Sequence, residues 1–282
     1  MLVLSKIILL LKNSMMKKIV LYTSFFAAGI LFFSACKKQS DMVAPYDAST
    51  DATAYFRVIH AAPNFRLFFN APDSFNVYVN GNKMNSPFLT YGSIFPGVST
   101  NNGYIAVAPG LQQIKMSVHG FASATPDSTQ LLNFTKVFTN GQYYTLFITD
   151  SIKFKPDVAF KLDAFTKPLT GNVGLRFIHG VLNDTTGKTV DIYSYARNTT
   201  VYTNIKPDST TTFSSFGFNV GVADTFYVTR SAVAGTLLAN RIVLAKLAFA
   251  PTNQRTYSLY FRGDVNLTTG TKARALLSYL HQ

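Results

Sequence analysis

Arg57-Val58-Ile59-His60 and Arg176-Phe177-Ile178-His179 each place a guanidinium shortly before an imidazole. An arginine can hold a carboxylate or phosphate through paired hydrogen bonds, and a histidine can move a proton or ligate a metal near neutral pH. A metal site needs several ligands, and neither histidine has a second His, Cys or acid at ligand spacing. The sequence therefore predicts no metal and no cofactor. Nucleophilic and phosphate chemistry lack their signatures too: there is no Gly-x-Ser-x-Gly, no HExxH and no glycine-rich phosphate loop. All 13 acids are aspartates. Paired carboxylates can cleave a glycosidic bond, but Asp150 with Asp157, and Asp184 with Asp191, stand beside turn residues without a special pattern. No catalytic residue is assigned. His60, His179, Arg57 and Arg176 are read as architecture, because each type occurs twice at the same place and one active site need not be built twice. Alternation puts His60 on the face of Phe56 and Val58, at a core edge. An arginine inside a strand commonly pairs with a cross-strand acid or a loop carbonyl.

Cys36 is the single cysteine. It follows Lys17, Lys18 and the uncharged run IVLYTSFFAAGILFFSA, and it precedes the polar stretch KKQSDMVAPYDASTDAT. A basic segment, an apolar segment and small residues before a cut are the parts of an export signal. Phe33-Ser34-Ala35-Cys36 resembles the lipobox of bacterial lipoproteins, with Phe33 where Leu is common. That resemblance implies cleavage before Cys36 and acylation of its sulfur. Residues 1–35 are then a signal peptide, with translation starting at Met15 or Met16, and residues 36–52 are a polar tether. Each buried methylene contributes about 0.8 kcal/mol, so two or three acyl chains would hold the protein at a membrane. The Ser-Ala-Cys-Lys-Lys junction is similar to lipoproteins of the Bacteroidota, which implies an outer-membrane address in the cell envelope.

The chain carries a formal charge of +13, with 25 Phe, 15 Tyr and no Trp. Its basic residues are scattered and form no basic helix or zinc knuckle, so no nucleic-acid partner is expected. Phe, Tyr, Val and Thr suit pleated, half-buried strands.

The elements that must position the arginines and histidines appear twice. AYFRVIH is echoed by VGLRFIH, FNVYVN by VDIYSY, LNFTKVFTNGQYYTLFI by VLAKLAFAPTNQRTYSLYF, and DVAFKLDAF by KARALLSYL. The order is the same and the spacing drifts only as loops do. Two units follow, residues 53–168 and 169–282, each too long for a solenoid repeat. Phe75, Val77 and Val79 alternate with Asn76 and Tyr78, the period of a strand, and Asn80-Gly81, Pro109-Gly110 and Asn140-Gly141 supply turns. The stretch from Thr236 has a helical look but aligns with a strand. The fold class is all-β, two tandem antiparallel β-sandwich domains.

Arg57-Val58-Ile59-His60-Ala61-Ala62-Pro63-Asn64, followed by Asn76-Val77-Tyr78-Val79-Asn80-Gly81, resembles the family catalogued as domain of unknown function 4397. Val107-Ala108-Pro109-Gly110 is similar to its recurring turn. Arg176 to His179 and Val190-Asp191-Ile192-Tyr193 form a more divergent second match. The resemblance spans Tyr55 to Leu280 and implies an immunoglobulin-like sandwich without an established activity. The reading of the whole is a non-enzymatic envelope lipoprotein that binds, adheres or scaffolds. Its contact surfaces are expected at the loops Pro63–Ser74 and Val181–Lys188. Its partners are the membrane, through the anchor, and an envelope protein or glycan. Two alternatives are a glycan-binding accessory of an outer-membrane uptake system and a hydrolase with His60 or His179 as base.

Overall fold

The computed structural model describes residues 52–97, 103–118, 129–184, 188–217 and 222–281. Cys36, the signal segment and nearly all of the tether lie outside these residues. Among the described residues, no helix is long and apolar enough to cross a membrane.

The chain runs β1 (Ala54–His60), α1 (Phe65–Phe69), β2 (Ser74–Val79), β3 (Asn82–Lys83), β4 (Leu89–Thr90), β5 (Ile94–Phe95), β6 (Ile105–Val107) and β7 (Gly110–Val118). It continues with β8 (Thr129–Phe138), β9 (Tyr143–Ile148), α2 (Pro156–Ala159), β10 (Phe160–Leu162), β11 (Asn172–His179), β12 (Val190–Ser194) and β13 (Thr199–Ile205). Last come β14 (Ser209–Thr210), β15 (Ser214–Gly217), β16 (Asp224–Arg230), β17 (Val243–Phe249), β18 (Thr256–Arg262) and β19 (Ala275–Leu280). The helix-like stretch after Thr236 forms a single 3-10 turn, Leu238–Asn240, and then strand β17.

Among the described residues four sheets result, and the fold is an all-β sandwich with no closed barrel. The first sheet has the order β10-β9-β1-β5 with β6 also on β1, and the second has β3-β2-β7-β8 with β4 on β2. The third is β14-β11-β18-β19 with β15 on β11, and the fourth is β13-β12-β16-β17. The pairing departs from an all-antiparallel expectation at two places. β1 lies parallel to β9, from Tyr55↔Tyr143 to His60↔Ile148, and β11 lies parallel to β18, from Gly174↔Thr256 to His179↔Phe261. In each case the chain crosses to the facing sheet and back before the partner strand forms. A connection that long permits parallel pairing, which no hairpin can.

Phe56, Val58, Phe75, Val77, Ile114, Met116, Leu146 and Ile148 belong to one core, shared by the first and second sheets. Leu175, Phe177, Val190, Ile192, Phe226, Val228, Leu259 and Phe261 belong to another, shared by the third and fourth. A third cluster, Ile59, Ala61, Phe147, Ile178, Tyr260 and Tyr279, joins the outer faces of the first and third sheets. Strands β1, β9, β11 and β18 are thus covered on both faces, which is why they read as nearly unbroken apolar runs.

Within that third cluster the Tyr260 ring lies over Gly180, where an added Cβ would overlap the phenol. Tyr260 is fully buried among Phe147 and Tyr279, so it has little room to retreat. Gly180→Ala is expected to cost about 1–3 kcal/mol by overpacking, read as a lower urea midpoint at unchanged slope. An unchanged midpoint would show that the ring can move aside.

Two short helices were not anticipated. In α1, Phe65 and Phe69 stack at 4.5 Å on the inner side, while Leu67 points outward and is 82% exposed. Asn64 stands at the N-terminus of this turn without capping it, because its side chain is engaged elsewhere.

Candidate functional site

The two arginines lie in a polar layer between the first and third sheets. Arg57, Arg176, Asp163 and His281 are all buried there. Arg57 on β1 donates from Nε to Thr145 Oγ1 of its parallel neighbour β9 at 3.3 Å. Arg176 on β11 donates from Nε to Ser258 Oγ of its own parallel neighbour β18 at 2.6 Å. Each guanidinium also covers an aromatic ring, Arg57 over Tyr104 at 4.4 Å and Arg176 over Phe213 at 4.5 Å. Arg57 Nη2 also donates to Tyr104 OH of its own sheet pair at 3.1 Å, and the other partners cross between the sheet pairs. Arg176 Nη2 pairs with Asp163 Oδ1, just after β10. Arg57 donates from Nη2 to His281 Nδ1, just after β19, at 3.0 Å and from Nη1 to Leu280 O at 2.8 Å.

Because a guanidinium can only donate, His281 Nδ1 accepts and carries no proton; Nε2–H is then the donor to Ser258 Oγ, 2.7 Å away. Burial, with Arg57 and Arg176 alongside, holds the His281 pKa well below the usual histidine range. The second oxygen of Asp163 accepts from Tyr104 OH at 2.7 Å and Thr145 Oγ1 at 2.5 Å. All four side chains are at most 2% exposed, and the layer holds two sheets together.

The two predicted histidines do not meet each other or the arginines' ligands. His60 is buried against Phe65, Phe75 and Tyr91, with Nε2 at 3.3 Å from Asp73 Oδ1. Lys272 from the C-terminal sheet pair binds the other Asp73 oxygen at 2.5 Å. Burial lowers the His60 pKa more than Asp73 raises it. His179 packs against Phe177 and Phe261, and neither ring nitrogen has a partner in another of the described residues. Its burial pushes the pKa down to about 4, with the Asp184 charge opposing and the Arg230 charge assisting. Both side chains are inaccessible to a substrate.

An accessible site lies at the end of the sheets where β1, β9, β11 and β18 finish. A groove of about 710 Å³ is lined there by residues of both sheet pairs, including Asn64, Phe68, Asp150, Phe154, Asn183 and Asp264. The loops named from sequence, Pro63–Ser74 and Val181–Lys188, both contribute to it, although 185–187 are outside the described residues. Asn64 stands four residues after His60, and Asn183 four after His179. Asp150 follows β9, and Asp264 follows β18.

These four groups are joined into one floor. Asn64 donates from its backbone N–H to Asp150 Oδ1 and from Nδ2 to Asp150 Oδ2, both at 3.2 Å. The same Nδ2 donates to Asp264 Oδ2 at 3.1 Å, linking the sheet pairs. Asn183 Nδ2 donates to Asp264 Oδ1 at 2.6 Å, and the Asn266 N–H to that oxygen at 2.8 Å. Burial pushes the Asp150 pKa up to about 6 against the hydrogen bonds from Asn64. Burial also raises Asp264, but bonds from Asn266, Asn183 and Asn64 outweigh it and keep that carboxylate ionised. Above the floor stand Leu67 and Phe154, 82% and 70% exposed, with Phe68 beside them. Lys153 lies at this wall, donating to Phe68 O at 3.0 Å, near the rings of Phe69 and Phe154. Among the described residues, no group of three or more His, Cys, Asp or Glu gathers as a metal site would require.

Sequence reasoning did not single out Asn64, Asn183, Asp264, Asp163 or His281, and it passed over Asp150 as a turn residue. The available signal was position: Asn64 and Asn183 each stand four residues after the repeated histidine, and Asp150 and Asp264 stand two and three residues after the aligned stretches that end at Ile148 and Phe261.

No curated protein matches the sequence. Among solved structures, the Bacillus anthracis TIE protein is 11% identical, with 76% of this chain and 34% of that chain covered and a TM-score of 0.18. A leucine-rich repeat protein from Bacteroides thetaiotaomicron is 12% identical over 76% of this chain and 26% of that one, at a TM-score of 0.17. A structure titled as putative polysaccharide binding proteins (DUF1812), also from Bacteroides thetaiotaomicron, is 11% identical over 81% and 98% of the two chains, at a TM-score of 0.18. The chain thus spans about a third of the first of these and about a quarter of the second. At such identities and scores these likenesses carry no argument. A narrower span than Tyr55–Leu280 has a family behind it: residues 54–193, from β1 into β12, match the family described as Domain of unknown function (DUF4397).

Proposed function

We propose that the protein is a non-enzymatic binding module of the cell envelope, held at the outer membrane through acylated Cys36. Residues 53–168 and 169–282 are in this reading two tandem copies of an immunoglobulin-like sandwich. The groove between them receives the ligand. One observation carries the binding reading: both loop sets end in a single open groove with a fixed polar floor and an exposed apolar wall. Exposed apolar surface of this kind, rimmed by polar groups, marks interaction sites. Ligand sites also favour the boundary between domains. The tandem reading is supported by the order of pairing, since β1, β9 and β10 associate as β11, β18 and β19 do. It is supported again by Asp163 and His281, which follow the corresponding strands and reach across to the opposite arginines.

The hydrolase alternative draws less support. A glycosidase needs its scissile bond between two carboxyl groups, and here Asn64 Nδ2 occupies the space between Asp150 and Asp264. The two histidines lie in cores, away from the groove.

Two measurements test the reading. Cys36→Ala is expected to abolish acyl labelling and to release the protein from membranes; a variant still retained would sink the anchor. A photo-reactive residue placed at Phe154 is expected to cross-link to envelope components, whereas one at Val137 of β8, itself 62% exposed, is not. Equal cross-linking at both positions would remove the groove from its role.

A further inference from the structure

The floor of the groove is unbalanced in hydrogen-bonding capacity. Asn64 Nδ2 has two hydrogens, and Asp150 and Asp264 take both. One hydrogen of Asn183 Nδ2 also goes to Asp264. Each carboxylate offers about four lone-pair positions, so both keep acceptor capacity toward the groove. Asn64 Oδ1 adds an acceptor with no partner among the described residues. The second hydrogen of Asn183 Nδ2 can still donate, so a ligand that complements this floor must bring mainly donors, with room for one acceptor, as a hydroxyl provides.

Three classes of donor-bearing ligand can be separated by charge and shape. An anion meets the ionised Asp264 carboxylate and is repelled. A cation would be drawn to the carboxylates and to the aromatic faces, but Lys153 already stands there, its ammonium 5.9 Å from the Phe69 ring and 6.0 Å from the Phe154 ring. The mature chain of this reading, without Lys6, Lys12, Lys17 and Lys18, keeps 22 basic residues against 13 acids, or +9, and repels cations further. A purely apolar segment would cover the wall and leave buried acceptors unpaired, which is costly. A neutral polyol has none of these penalties. Its hydroxyls donate to carboxylates, and the C–H face of a sugar ring lies against an aromatic or aliphatic side chain. The volume, about 710 Å³, falls within the ordinary range for a small-molecule site.

We propose that the groove binds a neutral oligosaccharide, its hydroxyls donating to Asp150, Asn64 and Asp264 and one sugar face lying on Phe154 and Leu67. This rests on the reading of the groove as a binding site. Phe154 and Leu67 supply the affinity that burial gives, and the floor supplies orientation.

The experiment is a binding screen of the intact protein against immobilised neutral oligosaccharides. Uronic-acid oligomers, amino-sugar oligomers, a lysine-rich peptide and an apolar peptide serve as comparisons. Binding to neutral sugars is expected, and Phe154→Ser and Leu67→Ser should each weaken it by about tenfold. Both residues are largely exposed, so thermal melting should not move and folding cannot account for the loss. Binding confined to amino sugars or the lysine-rich peptide would replace the proposal with a cationic ligand; binding confined to the apolar peptide would replace it with a protein partner. If no sugar binds while position 154 still cross-links in envelopes, the sugar assignment falls and the groove reading stands. If cross-linking at 154 is also lost to background, both fall.

Discussion

Asp163→Ala is expected to lower the unfolding free energy by about 3–5 kcal/mol, a large share of what a domain of ordinary stability possesses. The carboxylate is 1% exposed and receives three hydrogen bonds, from Arg176, Tyr104 and Thr145. Removing it leaves the Arg176 guanidinium, itself 2% exposed, with Ser258 Oγ and a long contact to Leu162 O as its remaining polar partners. It also leaves two buried cations, Arg57 and Arg176, in one layer with no anion among the described residues between them. Asp163→Asn should be nearly as damaging, since it keeps the shape and removes the charge. The pair Asp163→Leu with Arg176→Met should recover part of the loss, because a buried ion pair is replaced there by apolar packing. Urea unfolding measures all three. A loss below about 1 kcal/mol for the alanine variant would mean that water reaches the layer and screens it.

Acidification is expected to destabilise the fold steeply between about pH 6.5 and about pH 4. His179 titrates at about 4 when folded and near 6.5 when unfolded. Between those values the unfolded chain binds more protons, so stability is lost as the pH falls and the loss is complete below about 4. For this one residue the effect is about 3 kcal/mol. His60 and His281 are depressed by burial as well, and act in the same direction. Asp150 opposes them: its folded pKa of about 6 lies above 3.8, so it favours the fold at low pH and that contribution disappears as the pH rises through 6. Burial raises Asp208 in the same way, so two carboxyl groups stand against three histidines, and the acid loss dominates. Urea midpoints across this range measure the slope, and His179→Phe should flatten it by roughly the contribution of one histidine. An unaltered slope in that variant would show that His179 is protonated in place without penalty.

Strand positions were largely legible in the sequence, because alternation and turn residues are local. FNVYV became β2 with Phe75, Val77 and Val79 in the core, and Gly110 opens β7 after the Pro109 turn. α1 was not legible: FRLFF has the composition of a strand, and its helical turn is imposed by the stacking of Phe65 on Phe69, His60 and Phe75. The repeated Arg and His were visible as a pattern, and the structure places both arginines in the layer between sheets and both histidines in cores. Their partners were not visible. Arg57 and His281 are separated by 224 positions, and Asn64 and Asp264 by 200, so no spacing rule connects them. What joined them was the packing of one sheet face on another, which no single strand encodes.

The groove inherits a near two-fold arrangement, because Asn64 with Asp150 and Asn183 with Asp264 hold matching stations at matching strand ends. A chain-like ligand threading between them would meet almost the same groups whichever end entered first. The wall breaks that tie. Leu67, Phe68 and Phe154 all come from the N-terminal sheet pair, and the C-terminal pair contributes Leu182 to the apolar lining. A polymer with a head and a tail therefore finds one side of the groove richer than the other. On the proposed binding reading, the polarity of the ligand would be set by three side chains on a single lip.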